Sequence, residues 1–120
     1  MEGNLKFQDS LKLKMDKYVN LVYKLTKKFP KDELFGVTSQ LRRAALSIIL
    51  NFIEGYARNR NKVYLQFLDI SYGSLKESKY LIYFSWKQGY IAEKEYNEAN
   101  NLSEEIGKML WRIIESRRKQ

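Results

Sequence analysis

The chain has 120 residues, 44% of them hydrophobic and 30% charged, with Lys+Arg 22 against Asp+Glu 14 for a net charge of +8. That apolar share suits a folded globule, and the length leaves no room for a second core. There is no His and no Cys, which removes disulfides, thiolate nucleophiles, histidine acid–base catalysis and the usual zinc ligands.

A small basic domain that is not an enzyme is therefore expected, with no cofactor and no metal. The opening Met-Glu-Gly-Asn-Leu-Lys-Phe-Gln-Asp lacks a basic stretch followed by an apolar run, so no signal peptide is expected. The most apolar stretch, Ala44 to Ile53, is far short of the roughly 20 residues that span a bilayer. The cytoplasm is the expected location, without a membrane partner.

The first predicted helix covers residues 10–28. Leu11, Met15, Tyr18, Val22, Leu25 and Phe29 alternate spacings of four and three and form one stripe. Lys12, Lys14, Lys17, Lys24 and Lys27 fall off it, and Pro30 ends the segment. Residues 31–37 should hold one tight turn. The second helix covers 38–57, with Thr38 or Ser39 as its cap and an end at Gly55 or in Arg58-Asn59-Arg60-Asn61. Asn59 or Asn61 would cap the third helix, 62–86. Its apolar face holds Tyr64, Phe67, Leu68, Leu75, Leu81 and Ile82, with Ser71, Ser74, Ser78 and Ser85 on the same side. Small residues there allow a neighbouring helix to come close. Gly89 marks the next turn. The fourth helix covers 93–116 on an Ala99, Leu102, Ile106, Met109, Ile113 repeat, and Ala92 before it is a poor cap. Glu93, Glu95 and Glu98 suit the positive end of its dipole. No strand-like alternation appears. The expectation is all-α: an antiparallel up-down-up-down four-helix bundle in a single domain.

The second helix is too apolar for one core. At about 100° per residue, Leu41, Ala44, Ile48, Ala45, Phe52, Tyr56, Ile49, Ile53, Leu46 and Leu50 cover most of its circumference. A single polar sector holds Arg43, Ser47, Asn51 and Glu54. A helix covered on more than one side implies self-association, since an exposed apolar strip invites aggregation. The polar sector reads first as a buried hydrogen-bonded network that fixes register, with Glu77 as a further carboxylate. A surface for phosphate or a partner is the second reading. Catalysis by a Glu54–Glu77 pair is a distant third, since no nucleophile or metal partner accompanies it.

Phe29-Pro30, Glu33, Phe35-Gly36, Thr38-Ser39-Gln40-Leu41-Arg42-Arg43-Ala44, Ser47, Asn51, Glu54-Gly55 and Ala57-Arg58, followed by Phe67-Leu68, Gly73-Ser74-Leu75 and Glu77, closely resemble a family of bacterial four-helix-bundle proteins. These are encoded in intervening sequences of 23S ribosomal RNA genes and are also labelled S23 ribosomal proteins. The resemblance runs from about Phe7 to Ile114. Phe52-Ile53 stands where the family usually has Ile-Ala, which alters packing and leaves the polar positions intact. The resemblance implies a ring-like homo-oligomer, a homopentamer, and kinship with the accessory protein of diversity-generating retroelements. That relative is a basic pentameric barrel that binds nucleic acid and a reverse transcriptase. The ribosomal label reflects gene location rather than a place in the ribosome.

Basic charge is concentrated in the first three helices. Residues 1–35 carry eight basic and five acidic groups, 36–80 seven and three, and 81–120 seven and six. Arg58, Arg60 and Lys62 form the densest cluster. Lys24, Lys27, Lys28 and Lys31 should lie at the other end of the bundle. Arg42, Arg58, Arg60, Lys62, Arg117 and Arg118 are the candidate contacts to RNA or DNA. The plain alternative is a solvating coat of lysines. Nine tyrosines and two tryptophans could stack on bases, but most are expected in core or interface. The leading function is therefore a non-enzymatic, nucleic-acid-binding homo-oligomer. The alternative is a protein–protein scaffold, such as an accessory subunit of a nucleic-acid enzyme, that binds no nucleic acid itself.

Overall fold

The structure is a computed structural model that describes residues 2–58 and 60–119. Four helices follow one another: α1 (Glu2–Thr26), α2 (Ser39–Arg58), α3 (Asn61–Lys87) and α4 (Glu93–Arg118). A helix of 27 residues spans about 40 Å, close to the 45 Å long axis of the molecule. Each helix therefore runs most of the length of the bundle.

Side-chain bonds define the topology. Ser71 Oγ donates to Ile48 O, and Ser74 bonds Ser47, so α2 and α3 run antiparallel. Lys14 pairs with Glu105 and Lys28 with Glu95, so α1 and α4 are antiparallel too. Tyr18 meets Ser78 and Gln8 meets Tyr64, which makes α1 and α3 parallel. This is an up-down-up-down four-helix bundle. Among the described residues it contains no strand.

The whole predicted α1 stripe is buried, from Leu11 to Phe29. α1 nevertheless begins at Glu2 rather than Ser10. Phe7, one turn before Leu11, packs against the core and carries the stripe further back. It ends at Thr26 rather than Lys28. There Thr26 Oγ1 donates to Val22 O and accepts from Arg42 Nε, and three-residue turns follow.

The predicted caps of α2 and α3 are not the observed ones. Residues 31–38 form a short 3₁₀ turn and a wide helical turn, not a single tight turn. Thr38 is buried with its hydroxyl unbonded, and Ser39 Oγ donates to Gly36 O. Glu33 takes over, accepting from Val37 N and from Tyr90 OH. That bond to Glu33 holds the Tyr90 phenol above its ordinary pKa. Asn59 lies outside the described residues. Asn61 is already helical, and its Nδ2 donates to Arg117 O. Ala92 has no acceptor, but its N–H donates to Glu95 Oε1, which ties down the first turn of α4.

Gly55 does not end α2. The helix continues to Arg58 and Gly55 is buried. A Cβ there would lie 2.9 Å from Phe67 Cβ and 3.1 Å from Tyr64 Cδ1. Glycine is thus required by the close approach of α3, which the buried serines also permit. The turn after α3 contains Gly89 at φ 81, a conformation open to glycine. On α4, Leu110 and Ile114 are fully buried while Met109 is only partly so.

Candidate nucleic-acid interface

Chain reversal brings the end of α2, the start of α3 and the end of α4 to one end of the bundle. Asn61 Nδ2 to Arg117 O, at 3.2 Å, ties α3 to α4 there. Five of the six candidate contacts meet at this end: Arg58, Arg60, Lys62, Arg117 and Arg118. Arg58, Arg60, Lys62 and Arg118 are exposed and Arg117 is partly exposed. Arg42 is not among them. It stands at the opposite end, where its Nε donates to Thr26 Oγ1 at 2.7 Å and its guanidinium lies 4.6 Å from the Tyr23 ring centre. The separation follows from the positions of Arg42 near the start of α2 and Arg58 at its end.

The five are held in different ways. Arg58 binds Glu54 one turn back, at 2.6 Å. Arg118 lies 3.5 Å from Glu115 and 3.8 Å from Asp69. Arg117 sits 4.6 Å from the Tyr64 ring centre. Burial pushes the Tyr64 phenol up in pKa, and the Arg117 charge beside it opposes that rise. Arg60, Lys62 and Arg117 make no ion pair among the described residues. A surface cavity of about 320 Å³ is lined by Ala57, Arg58, Arg60 and Val63. Multiple donors from arginines around such a space can bind phosphate oxygens in pairs. The sequence carries no sign that Tyr64 supports Arg117, since the two are far apart along the chain.

The expected polar network is smaller than its five members. Asn51 Nδ2 donates to Ser47 O and Oγ, and Ser47 bonds Ser74 across to α3. These groups are half-buried or buried. Arg43 and Glu77 are exposed instead, and Glu54 turns to Arg58. One polar sector thus divides: its middle faces α3 and its ends face water. Beside it, Leu50 is 57% exposed and Ile53 40%, and Phe35 stands 92% exposed on the α1–α2 connection. A groove of about 650 Å³ runs between Phe35, Tyr23, Leu46 and Leu50, with Arg42 and Asn51 in its wall. Within this chain α2 is covered by α3 and α1, and its third side is open.

No helix among the described residues is long and apolar enough to cross a membrane. Comparison with curated proteins gives no match. Among solved structures, the chain is similar to a Bacteroides thetaiotaomicron protein described as of unknown function and from the S23 ribosomal protein family. The TM-score is 0.84 at 24% identity, over 91% of this chain and 98% of that one. That likeness shows the same four-helix fold. The family model described as 23S rRNA-intervening sequence protein matches residues 11–112. The chain belongs to the 23S rRNA-intervening sequence protein family.

Proposed function

We propose that the protein is a non-enzymatic homo-oligomer that binds nucleic acid through phosphate contacts at the α2–α3 end. One observation carries this reading: four basic side chains from three helices and Arg60 from the α2–α3 connection converge there, and three of the five make no ion pair among the described residues. The lack of His and Cys supports a binding rather than a catalytic role. Self-association is supported by the open apolar strip of Leu50 and Ile53, and a closed ring would repeat the basic end around its axis.

The test is a titration of structured RNA and of DNA over a salt series. Binding should be tight at low salt and fall steeply as salt rises. The Arg58→Ala, Arg60→Ala double variant should keep its fold, bind more weakly and lose about one unit of salt slope per phosphate contact removed. Equal affinity and slope would remove this end from the site. No binding at low salt would leave the charge as a solvating coat.

A further inference from the structure

The α3–α4 face carries a row of aromatic rings that core packing does not use up. Tyr80 is 62% exposed and Tyr83 43%. Their ring centres are 6.3 Å apart, and Tyr83 meets Trp86 at 6.1 Å. Trp86 lies flat on Tyr96, at 4.6 Å with 10° between planes. Four rings therefore run continuously across two helices. Rings of this size normally bury their faces. Here two of them stand side by side in water.

Cations flank the row. Lys76 lies one turn before Tyr80 and Lys87 one turn after Tyr83, and both are exposed. Lys76 Nζ stands 5.2 Å from the Tyr72 ring centre and Lys87 Nζ 5.4 Å from that of Trp86. Neither lysine forms an ion pair among the described residues, whereas Glu104 on the same face is occupied by Lys79. Glu77 is the exposed carboxylate nearby on α3. Rings for bases and cations for phosphates are the two elements a single strand requires. A duplex keeps its base faces inside its own stack, so it can engage only the cations.

The geometry points to Tyr80, Tyr83, Trp86 and Tyr96, with Lys76 and Lys87 beside them, as a stacking platform for single-stranded nucleic acid. This rests on the nucleic-acid reading above and specifies the form of strand that is bound. The two flanking lysines, neither held in an ion pair among the described residues, favour a phosphate-bearing occupant over an apolar protein surface.

Tryptophan emission gives a direct readout. A Trp111→Phe background leaves Trp86 as the one tryptophan, excited selectively over the tyrosines at long wavelength. The probes are oligothymidylate, oligouridylate and a blunt DNA duplex at low salt. Single strands should quench Trp86 and bind more tightly than the duplex, and the two oligonucleotides distinguish DNA from RNA as the preferred strand. Tyr80→Ala and Tyr83→Ala should each weaken single-strand binding by roughly 5- to 30-fold and leave duplex binding unchanged. Tyr80→Phe keeps the ring and should bind as the parent does. Unchanged single-strand affinity in both alanine variants, with the duplex still bound, would refute the platform and leave the basic end standing. Failure of every probe to bind would overturn both. A fall in assembly mass in the alanine variants would make the row an interface between copies, and the platform would be refuted.

Discussion

The same substitution, glycine to alanine, should have opposite effects at Gly55 and Gly73. In a helix interior alanine is favoured over glycine by about 1 kcal/mol. Gly73 is exposed, and a Cβ there meets nothing within 4 Å. Gly73→Ala should therefore stabilise by about that amount. At Gly55 the new Cβ would lie 2.9 Å from Phe67 Cβ, 3.1 Å from Tyr64 Cδ1 and 3.4 Å from Tyr64 O. Carbon atoms rest at about 3.5–4.0 Å. Phe67 Cβ is fixed to its backbone, so α3 itself must retreat. Overpacking of this kind costs about 1–3 kcal/mol. The contact to Phe67 Cβ, an atom that cannot swing away, and the tight one to Tyr64 Cδ1 place Gly55→Ala near the top of that range. After the helix gain, a net loss of about 2 kcal/mol remains. The two variants should differ by about 3 kcal/mol, on the order of 10 °C in Tm. The assay is urea unfolding at two protein concentrations, because assembly would make stability concentration-dependent. If Gly55→Ala matched Gly73→Ala in sign, the close α2–α3 approach would be wrong.

Tyr18 gives a pH test. Burial pushes its phenol from 10.0 up to about 12. Between those values the unfolded chain has lost the proton and the folded chain retains it, so stability is complete below pH 10 and declines through about pH 12. The loss approaches about 3 kcal/mol at the upper limit. Tyr18→Phe should lack that alkaline component, while costing about 1 kcal/mol at neutral pH for the Ser78 bond. Parallel alkaline unfolding curves for the two proteins would refute this. On the open strip, Leu50→Asp should lower the assembly mass in light scattering and leave helicity intact. An unchanged mass would place the interface elsewhere.

Most of the bundle was legible because period dominates helix packing. Spacing alone identifies the α1 stripe and the four buried α3 serines. On α4 the repeat holds at Ala99, Leu102, Ile106 and Ile113 and departs at Met109, which is only partly buried, while Leu110 and Ile114 beside it are fully buried. The apolar surface of α4 is wide enough to offer both paths, and the positions of α1 and α3 decide. Gly55 illustrates the deeper limit. A glycine near a helix end signals a stop, and the same residue signals a close neighbour. Phe67 and Tyr64, on another helix, determine which applies. The caps failed for a related reason. Thr38 has the right hydroxyl, but it already lies inside the helical turn that leads into α2, and its hydroxyl is buried without a partner.

The candidate site depends on how its cations are held. A carboxylate fixes a guanidinium and cancels its charge. An aromatic ring fixes it and leaves the charge available. Along the seams with α4, Lys14, Lys28 and Lys79 are paired with Glu105, Glu95 and Glu104. Hydrogen bonds from Lys28 and Lys79 hold the Glu95 and Glu104 carboxyls below their ordinary pKa. Those pairs are exposed, contribute at most about 1 kcal/mol each, and remove positive field along the sides. At the α2–α3 end Arg117 rests on Tyr64 instead. A phosphate approaching Arg58 must compete with Glu54, whereas one approaching Arg117 displaces no carboxylate. In the proposed complex, then, Arg117 keeps its full charge for the phosphate, and Tyr64 has already restricted the freedom of its side chain. That combination makes a small exposed cluster better suited to a polyanion than its net charge alone would suggest.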